Sequence, residues 1–352
     1  MPGRILLWLS SQIYGAAVAV RNSLYDCGIL KSHSFGLPVI CIGNITVGGT
    51  GKTPHVIWLA ERLSSVVQVA VLSRGYLRKS RGFRKVTPRD TTTDAGDEPL
   101  LMARSLPQAR VFVDRDRVHG IRKIMTWEPP AGAVILDDGF QHRAVKAGMN
   151  ILLTNWNRLM TRDRLLPLGR LRESIRGMRR ANIIIVTKVP PETTAAEMDA
   201  VKTELKAGAR QSIYFTTLAY GDPLPLFHDT QPQTVTTDVS VLMVTGIANP
   251  APMASYLSTL SERVTQLAFP DHHMYTESDI AKIKSAFDAM DGERKIVITT
   301  AKDAVRLKEI ANIAVHLAEV THVLPVNVQF IENENDFLNK IYQNAGKDHK
   351  DG

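Results

Sequence analysis

Gly43-Asn44-Ile45-Thr46-Val47-Gly48-Gly49-Thr50-Gly51-Lys52-Thr53-Pro54 lies between an apolar run, Pro38-Val39-Ile40-Cys41-Ile42, and an amphipathic stretch, Thr53–Leu63. It therefore joins a strand to a helix. Gly48, Gly49 and Gly51 allow backbone N–H groups to close around an anion, Lys52 supplies a cation for β- and γ-phosphates, and the Thr53 hydroxyl suits magnesium. Pro54 falls in the first helical turn, where its missing N–H costs nothing. The helix N-terminus adds a partial positive charge. The general pattern, GxxxxGK followed by Ser or Thr, asks for glycine where this chain has Thr46. A P-loop over Thr46, Val47, Gly48, Gly49, Thr50, Gly51, Lys52 and Thr53 is expected, with a bland glycine-rich turn as the alternative.

On either side of this loop, short β-branched runs alternate with helical stretches. Strands are expected at Val39–Ile42, Val67–Leu72, Arg110–Val113, Ala133–Leu136, Asn150–Leu153 and Ile183–Val186, with helices such as Glu98–Ser105 and Arg117–Met125 between them. Continuous apolar strands alternating with helices imply a mostly parallel sheet covered on both faces. A second series follows: strand Val241–Val244, helix Pro250–Leu260, strand Val264–Phe269, helix Glu277–Met290, strand Lys295–Thr299, helix Lys302–Ile310, strand Val323–Val328 and helix Asn335–Tyr342. The organisation expected is an α/β, P-loop NTPase-like domain over residues 34–211, a Pro- and Thr-rich linker over 212–238, a smaller α/β domain over 239–345 and a disordered tail over 346–352. A length of 352 residues accommodates two domains of about 100–200 residues each.

Residues 1–33 form a helical segment of unusual composition. Ile5-Leu6-Leu7-Trp8-Leu9, Ile13-Tyr14 and Ala16-Ala17-Val18-Ala19-Val20 sit between Arg4, Arg21 and Lys31. Ser10-Ser11-Gln12 interrupts the apolar run before it reaches the 18–20 or so residues a membrane-spanning helix needs, and no small-residue cleavage site follows it. An amphipathic helix lying in a membrane interface and a helix packed on the domain both fit. The net charge of +8 and pI near 9.4 favour an anionic partner. Basic runs at Arg74, Arg78, Lys79, Arg81, Arg84 and Lys85, and from Arg158 to Arg180, suit either solvent or anionic headgroups. Aromatics are only 6% of the chain and no basic stretch interleaves them, so nucleic acid is not the expected partner. The two cysteines, Cys27 and Cys41, have neither disulfide nor metal-ligand spacing.

Beyond the loop, Val134-Ile135-Leu136-Asp137-Asp138 ends an apolar strand in two carboxylates, the usual site of a P-loop enzyme's metal aspartate. Asp97 in Asp97-Glu98-Pro99 reads as a helix cap or as a catalytic base, and Asp271-His272-His273 as solvated loop residues or as an acid–base site.

Together these residues resemble the tetraacyldisaccharide 4′-kinases of lipid A biosynthesis. The resemblance spans Trp8, Tyr14, Leu24-Tyr25 and Gly28, the loop at 43–54, Leu72-Ser73-Arg74-Gly75-Tyr76, Gly96-Asp97-Glu98-Pro99, Leu136-Asp137-Asp138-Gly139-Phe140-Gln141-His142, Leu166-Pro167-Leu168-Gly169-Arg170-Leu171-Arg172-Glu173, Asp271-His272-His273 and Thr299-Thr300-Ala301-Lys302-Asp303-Ala304. Thr46 is at home in that family's loop, whereas Arg170 stands where a proline is expected. The resemblance implies transfer of the ATP γ-phosphoryl group to the 4′-hydroxyl of a disaccharide 1-phosphate glycolipid, by an enzyme peripheral to the cytoplasmic face of the bacterial inner membrane. It further implies an Asp97–His272 pair in catalysis with Lys52, Mg²⁺ contacts from Thr53, Glu98, Asp137 and Asp138, and substrate contacts from Arg74, Gln141, His142 and Arg172. No obligate protein partner is expected. The rival reading is a deviant P-loop regulatory GTPase or ATPase at the membrane surface. Guanine is read through an NKxD sequence, and Thr187-Lys188-Val189-Pro190 lacks the aspartate.

Overall fold

The computed structural model of the protein describes residues 2–227, 233–310, 313 and 317–347. A 25-residue helix, α1 (Pro2–Asp26), precedes a nine-stranded sheet in the order β14-β8-β7-β6-β1-β5-β2-β4-β3. Its inner strands are β1 (Val39–Gly43), β2 (Val69–Ser73), β4 (Arg110–Val113), β5 (Ala133–Asp137), β6 (Met149–Asn155), β7 (Ile183–Thr187) and β8 (Ser212–Tyr220), all parallel. Only the edge strands, β3 (Arg84–Val86) and β14 (Val326–Phe330), run antiparallel to their neighbours. Helices α2 (Lys52–Ser64), α3 (Thr92–Ala95), α4 (Asp97–Ser105), α5 (Arg117–Met125) and α6 (Ala195–Leu205) connect the strands. β1, β2, β5 and β7 are buried at every position, as strands covered on both faces require. Two apolar clusters result. One contains Ile40, Ile42, Val56, Leu59 and Leu63, and the other Val39, Cys41, Leu72, Leu136 and Phe215.

A smaller sheet, in the order β11-β10-β12-β13-β9, is parallel except for its edge strand β9 (Leu224–Pro225). Its other strands are β10 (Ser240–Thr245), β11 (Arg263–Ala268), β12 (Lys295–Thr300) and β13 (Thr321–Leu324), with helices α7 (Ala251–Leu260), α8 (Glu277–Asp288) and α9 (Ala301–Leu307).

The chain divides between the two sheets differently from the sequence expectation. Residues 212–220, expected within a linker, form β8 and pair with β7. The expected strand Val323–Val328 is two strands in two sheets, β13 in the smaller and β14 in the larger, separated by Pro325. Proline lacks the N–H that an interior strand position must donate, and an apolar run read through it hides the break. The final helix, α10 (Glu334–Lys347), then packs on the larger sheet, where Phe337, Ile341 and Ala345 join the cluster around Trp58. The smaller domain is thus an insertion between β8 and β14, and residues 326–345 belong with the larger one. α10 also includes residues 346 and 347, while 348–352 of the expected tail lie outside the described residues.

Candidate active site

The loop between β1 and α2 takes its shape from two glycines and a neighbouring strand-like segment. Gly51 at the helix N-cap (φ 80°) and Gly48 (φ 105°) occupy backbone states that L side chains rarely adopt. Thr46 is not among the positive-φ residues and forms an isolated antiparallel bridge with Leu171. This version of the loop therefore does not require glycine at 46. Val47 N donates to Arg170 O and Arg172 N to Ile45 O, each at 2.7 Å. Arg172 reaches further: Nη1 and Nη2 donate to Asp138 at 3.1 and 2.8 Å, and Nη2 also bonds Asn44 O (2.9 Å) and Asn44 Oδ1. Asn44 Nδ2 in turn donates to Thr50 Oγ1 (2.6 Å). One guanidinium thus ties the start of the phosphate loop to the strand-terminal carboxylate.

Behind the loop, His55 is buried between Gly51 O (2.7 Å from Nδ1) and Thr216 Oγ1 of β8 (3.0 Å from Nε2). Burial pushes its imidazole down to about 4. An unfolded histidine titrates near 6.5, so the unfolded chain binds more protons between these values, and stability falls as pH falls through this window. The expected loss is about 3 kcal/mol for a full shift of this size. Urea melts from pH 7 to 4 check it: His55→Gln should show a shallower pH slope than the wild type, and equal slopes would contradict the assignment.

The carboxylates come from the end of β5 and the first turn of α4. Asp137 ends β5, buried, with Oδ2 accepting from Ser73 Oγ (2.7 Å) and Oδ1 buried without a partner. Burial, then the nearby Glu98 and Asp138 charges, push its carboxyl up to about 6. Asp138 turns out of the strand at φ 48° and lies 3.8 Å from Lys52 Nζ. Burial raises its carboxyl, but Arg172 and Lys52 outweigh this and hold it below the usual range. Glu98, in the first turn of α4, bonds Lys302 Nζ (2.6 Å) from α9. Burial is again outweighed, here by Lys302 and Lys52.

Asp97 and His272, 175 residues apart, meet at 3.2 Å between Oδ2 and Nδ1. Burial raises the Asp97 carboxyl, and the His272 hydrogen bond with the Arg306 and Lys302 charges carries it below its ordinary value. The Asp97 hydrogen bond in turn lifts His272 above its own. Arg306 is buried 3.5 Å from Asp97, and its Nη1 donates to His273 O (2.9 Å), which braces the histidine loop. Glu309 accepts from Thr92 N and Oγ1, and Arg104 Nη1 donates to Val305 O, so the two domains also touch through polar contacts beyond this pair.

Of the expected substrate contacts, Arg74 is exposed and His142 half-buried with Nε2 unpartnered. Gln141 and Arg172 are instead engaged within the protein. Gln141 Nε2 donates to Asn44 O (2.8 Å) and to Glu173 Oε1 (3.0 Å). Sequence reasoning assigned no role to Lys302, Arg306 or Asn44, whose importance lies in partners distant along the chain.

Among the described residues, no three His, Cys, Asp or Glu side chains converge closely enough to hold a metal alone. The donor set nevertheless fits Mg²⁺. Among the described residues Asp137 Oδ1 lacks a partner, the Glu98 and Asp138 charges repel its ionised form, a repulsion that a bound cation would relieve, and Mg²⁺ completes its shell with phosphate oxygens and water.

The profile of the tetraacyldisaccharide-1-P 4′-kinase family matches residues 3–345. The chain is 43% identical over 350 residues to the tetraacyldisaccharide 4′-kinase of Bacteroides thetaiotaomicron, covering 96% of this chain and 92% of that protein. It is 43% identical over 343 residues to the Phocaeicola vulgatus enzyme of the same name, covering 96% and 94%. Among solved structures it resembles LpxK from Aquifex aeolicus, described as an "apo" form in complex with ATP, with a TM-score of 0.76, 30% identity and coverage of 97% and 99%. Sequence and fold agree, and the chain belongs to the tetraacyldisaccharide-1-P 4′-kinase family.

Proposed function

We propose that this protein transfers the γ-phosphoryl group of ATP to the 4′-hydroxyl of a tetraacyldisaccharide 1-phosphate at the cytoplasmic face of the inner membrane. The observation that carries this reading is the meeting of two halves: Lys52 and Asp138 on the phosphate loop's side, and Asp97 with His272 at the domain junction. The rival switch-protein reading gives no task to an Asp–His pair contributed by two domains. The phosphate loop's N–H groups and Lys52 bind and orient the triphosphate. Thr53, Glu98, Asp137 and Asp138 would hold Mg²⁺, which when bound offsets charge on the β- and γ-phosphates. Asp97 accepts the proton of the attacking hydroxyl, and His272 keeps that carboxylate ionised and oriented. Arg172 and Gln141 position the loop and Asp138. Among the described residues Arg74 is exposed and His142 Nε2 has no partner, which suits both to an anionic or hydroxylated substrate. Mass spectrometry of the product, with fragmentation locating the new phosphate, tests the reading: phosphate on the distal sugar supports it, and hydrolysis of ATP without a phosphorylated lipid refutes it.

The lipid nature of the substrate is matched by α1. Ser11 Oγ bonds Leu165 O, Tyr14 OH bonds Arg172 O and Asn22 Nδ2 bonds Glu173 Oε2, which seats one face of the helix on the domain. Ile5, Leu6, Trp8, Leu9, Ile13 and Val20 remain about half exposed or more. No described helix is long and apolar enough to cross a membrane, so we read this exposed face as lying in the interface. Replacing Leu6, Trp8, Leu9 and Ile13 by serine leaves the seating contacts intact and removes about 1.5–3 kcal/mol of burial for each large side chain that enters lipid. Flotation with anionic phospholipid vesicles should show partitioning fall by orders of magnitude. Unchanged partitioning by the folded variant would refute interfacial attachment.

A further inference from the structure

β7 ends at Thr187, whose Oγ1 donates to Thr50 O (2.9 Å), so the strand end is bonded directly to the phosphate loop. The next residue, Lys188, sits in the left-handed region at φ 58°. That conformation costs a non-glycine residue on the order of 1–3 kcal/mol. It is held from behind by buried Val189, whose N–H donates to Thr216 O (3.1 Å). The turn brings the lysine to the loop: a Cβ placed on Gly49 would lie 3.7 Å from Lys188 Nζ. Among the described residues no hydrogen bond or ion pair reaches this half-buried ammonium. Burial, with the Lys302 charge nearby, pushes it below the ordinary lysine range. A cation removed from water without an acceptor is costly, and the strained turn adds to that cost. Both are explained if an anion arrives.

The sheet order says which part of the nucleotide that is. β5, bearing Asp137 and Asp138, neighbours β1 on one side, whereas β7 lies two strands from β1 on the other. Lys52 faces Asp138, so the terminal phosphates lie towards β5. Lys188 approaches the loop from the opposite flank, where the α-phosphate and ribose must extend.

We propose that Lys188 is a nucleotide-binding residue that holds the α-phosphate and ribose of ATP against Gly49. This rests on the ATP reading above, and the test separates the two. Calorimetric titration of the full chain with ADP and with ATP is compared for wild type, Lys188→Met, Lys188→Gln and Lys188→Arg. The two neutral variants should lose about 10- to 100-fold in affinity, the worth of one charged hydrogen bond. The loss should be equal for ADP and ATP, because the α-phosphate and ribose are common to both. KM for ATP should rise in step, kcat at saturating ATP should stay within about twofold, and Lys188→Arg should recover most of the affinity. Thermal melts identify any variant that has not folded, and whichever neutral variant folds decides the matter. Unchanged ADP affinity, or a loss confined to ATP, overturns the role for Lys188 alone. A wild type that binds no adenine nucleotide overturns the ATP reading as well.

Discussion

Lys52→Ala is expected to fold as the wild type does and to lose turnover by orders of magnitude. Lys52 opens α2 and, among the described residues, its one charged neighbour within ion-pair distance is Asp138, at 3.8 Å. Asp138 keeps two hydrogen bonds from Arg172 when the ammonium is removed, and the loop keeps its bonds through Asn44, Val47 and Thr50. Nothing in the core depends on the side chain. Its chemistry, by contrast, is irreplaceable: a fixed cation at the β/γ-phosphates stabilises the charge that redistributes during transfer. Loss of a single preorganised group of this kind costs about 10²–10³ in kcat. Steady-state kinetics beside a thermal melt check the pair of expectations. Near-normal kcat in a folded variant would contradict the phosphate-loop mechanism.

The second large effect concerns Asp97 and His272 as one unit. Asp97→Ala removes the proposed proton acceptor, and His272→Ala removes the hydrogen bond that keeps it ionised. Groups that act together are non-additive, so the double variant should lose little more than the worse single one. Nucleotide affinity should survive in all three, since neither side chain is assigned to the phosphates. pH gives an independent check. The Asp97 carboxyl lies below its ordinary value, near 3.9, so the wild type should show no Asp97-dependent loss of kcat/KM near neutrality. Burial raises that carboxyl and His272 lowers it, so His272→Ala should move the acid limb of kcat/KM to higher pH. Multiplicative losses and an unmoved acid limb would show the residues acting independently.

Much of the site is legible in local sequence because its parts are local. The loop from Gly43 to Pro54 carries its own backbone requirements, and Asp137-Asp138 announces itself by ending an apolar strand. What the sequence does not display is the set of partners that closes these parts together. Arg172 meets Asn44 across 128 residues, Lys302 meets Glu98 across 204, and His272 meets Asp97 across 175. Such contacts are products of sheet order, which no spacing in the chain encodes. The break at Pro325 was visible as a residue but not as a change of sheet. An apolar strand run looks the same whichever sheet receives it. For α1 the two sequence readings turned out compatible, since one face is bonded to the domain while the other stays exposed.

ATP consumption here is coupled to a glycolipid hydroxyl and is not a switch cycle. The most direct measurement follows labelled ATP in detergent with and without tetraacyldisaccharide 1-phosphate. Label should pass into the lipid with Mg²⁺ present, with one ADP formed per lipid phosphorylated and little turnover when the acceptor is left out. ATP or GTP hydrolysis that proceeds at the same rate without the glycolipid, leaving the lipid unlabelled, would contradict it.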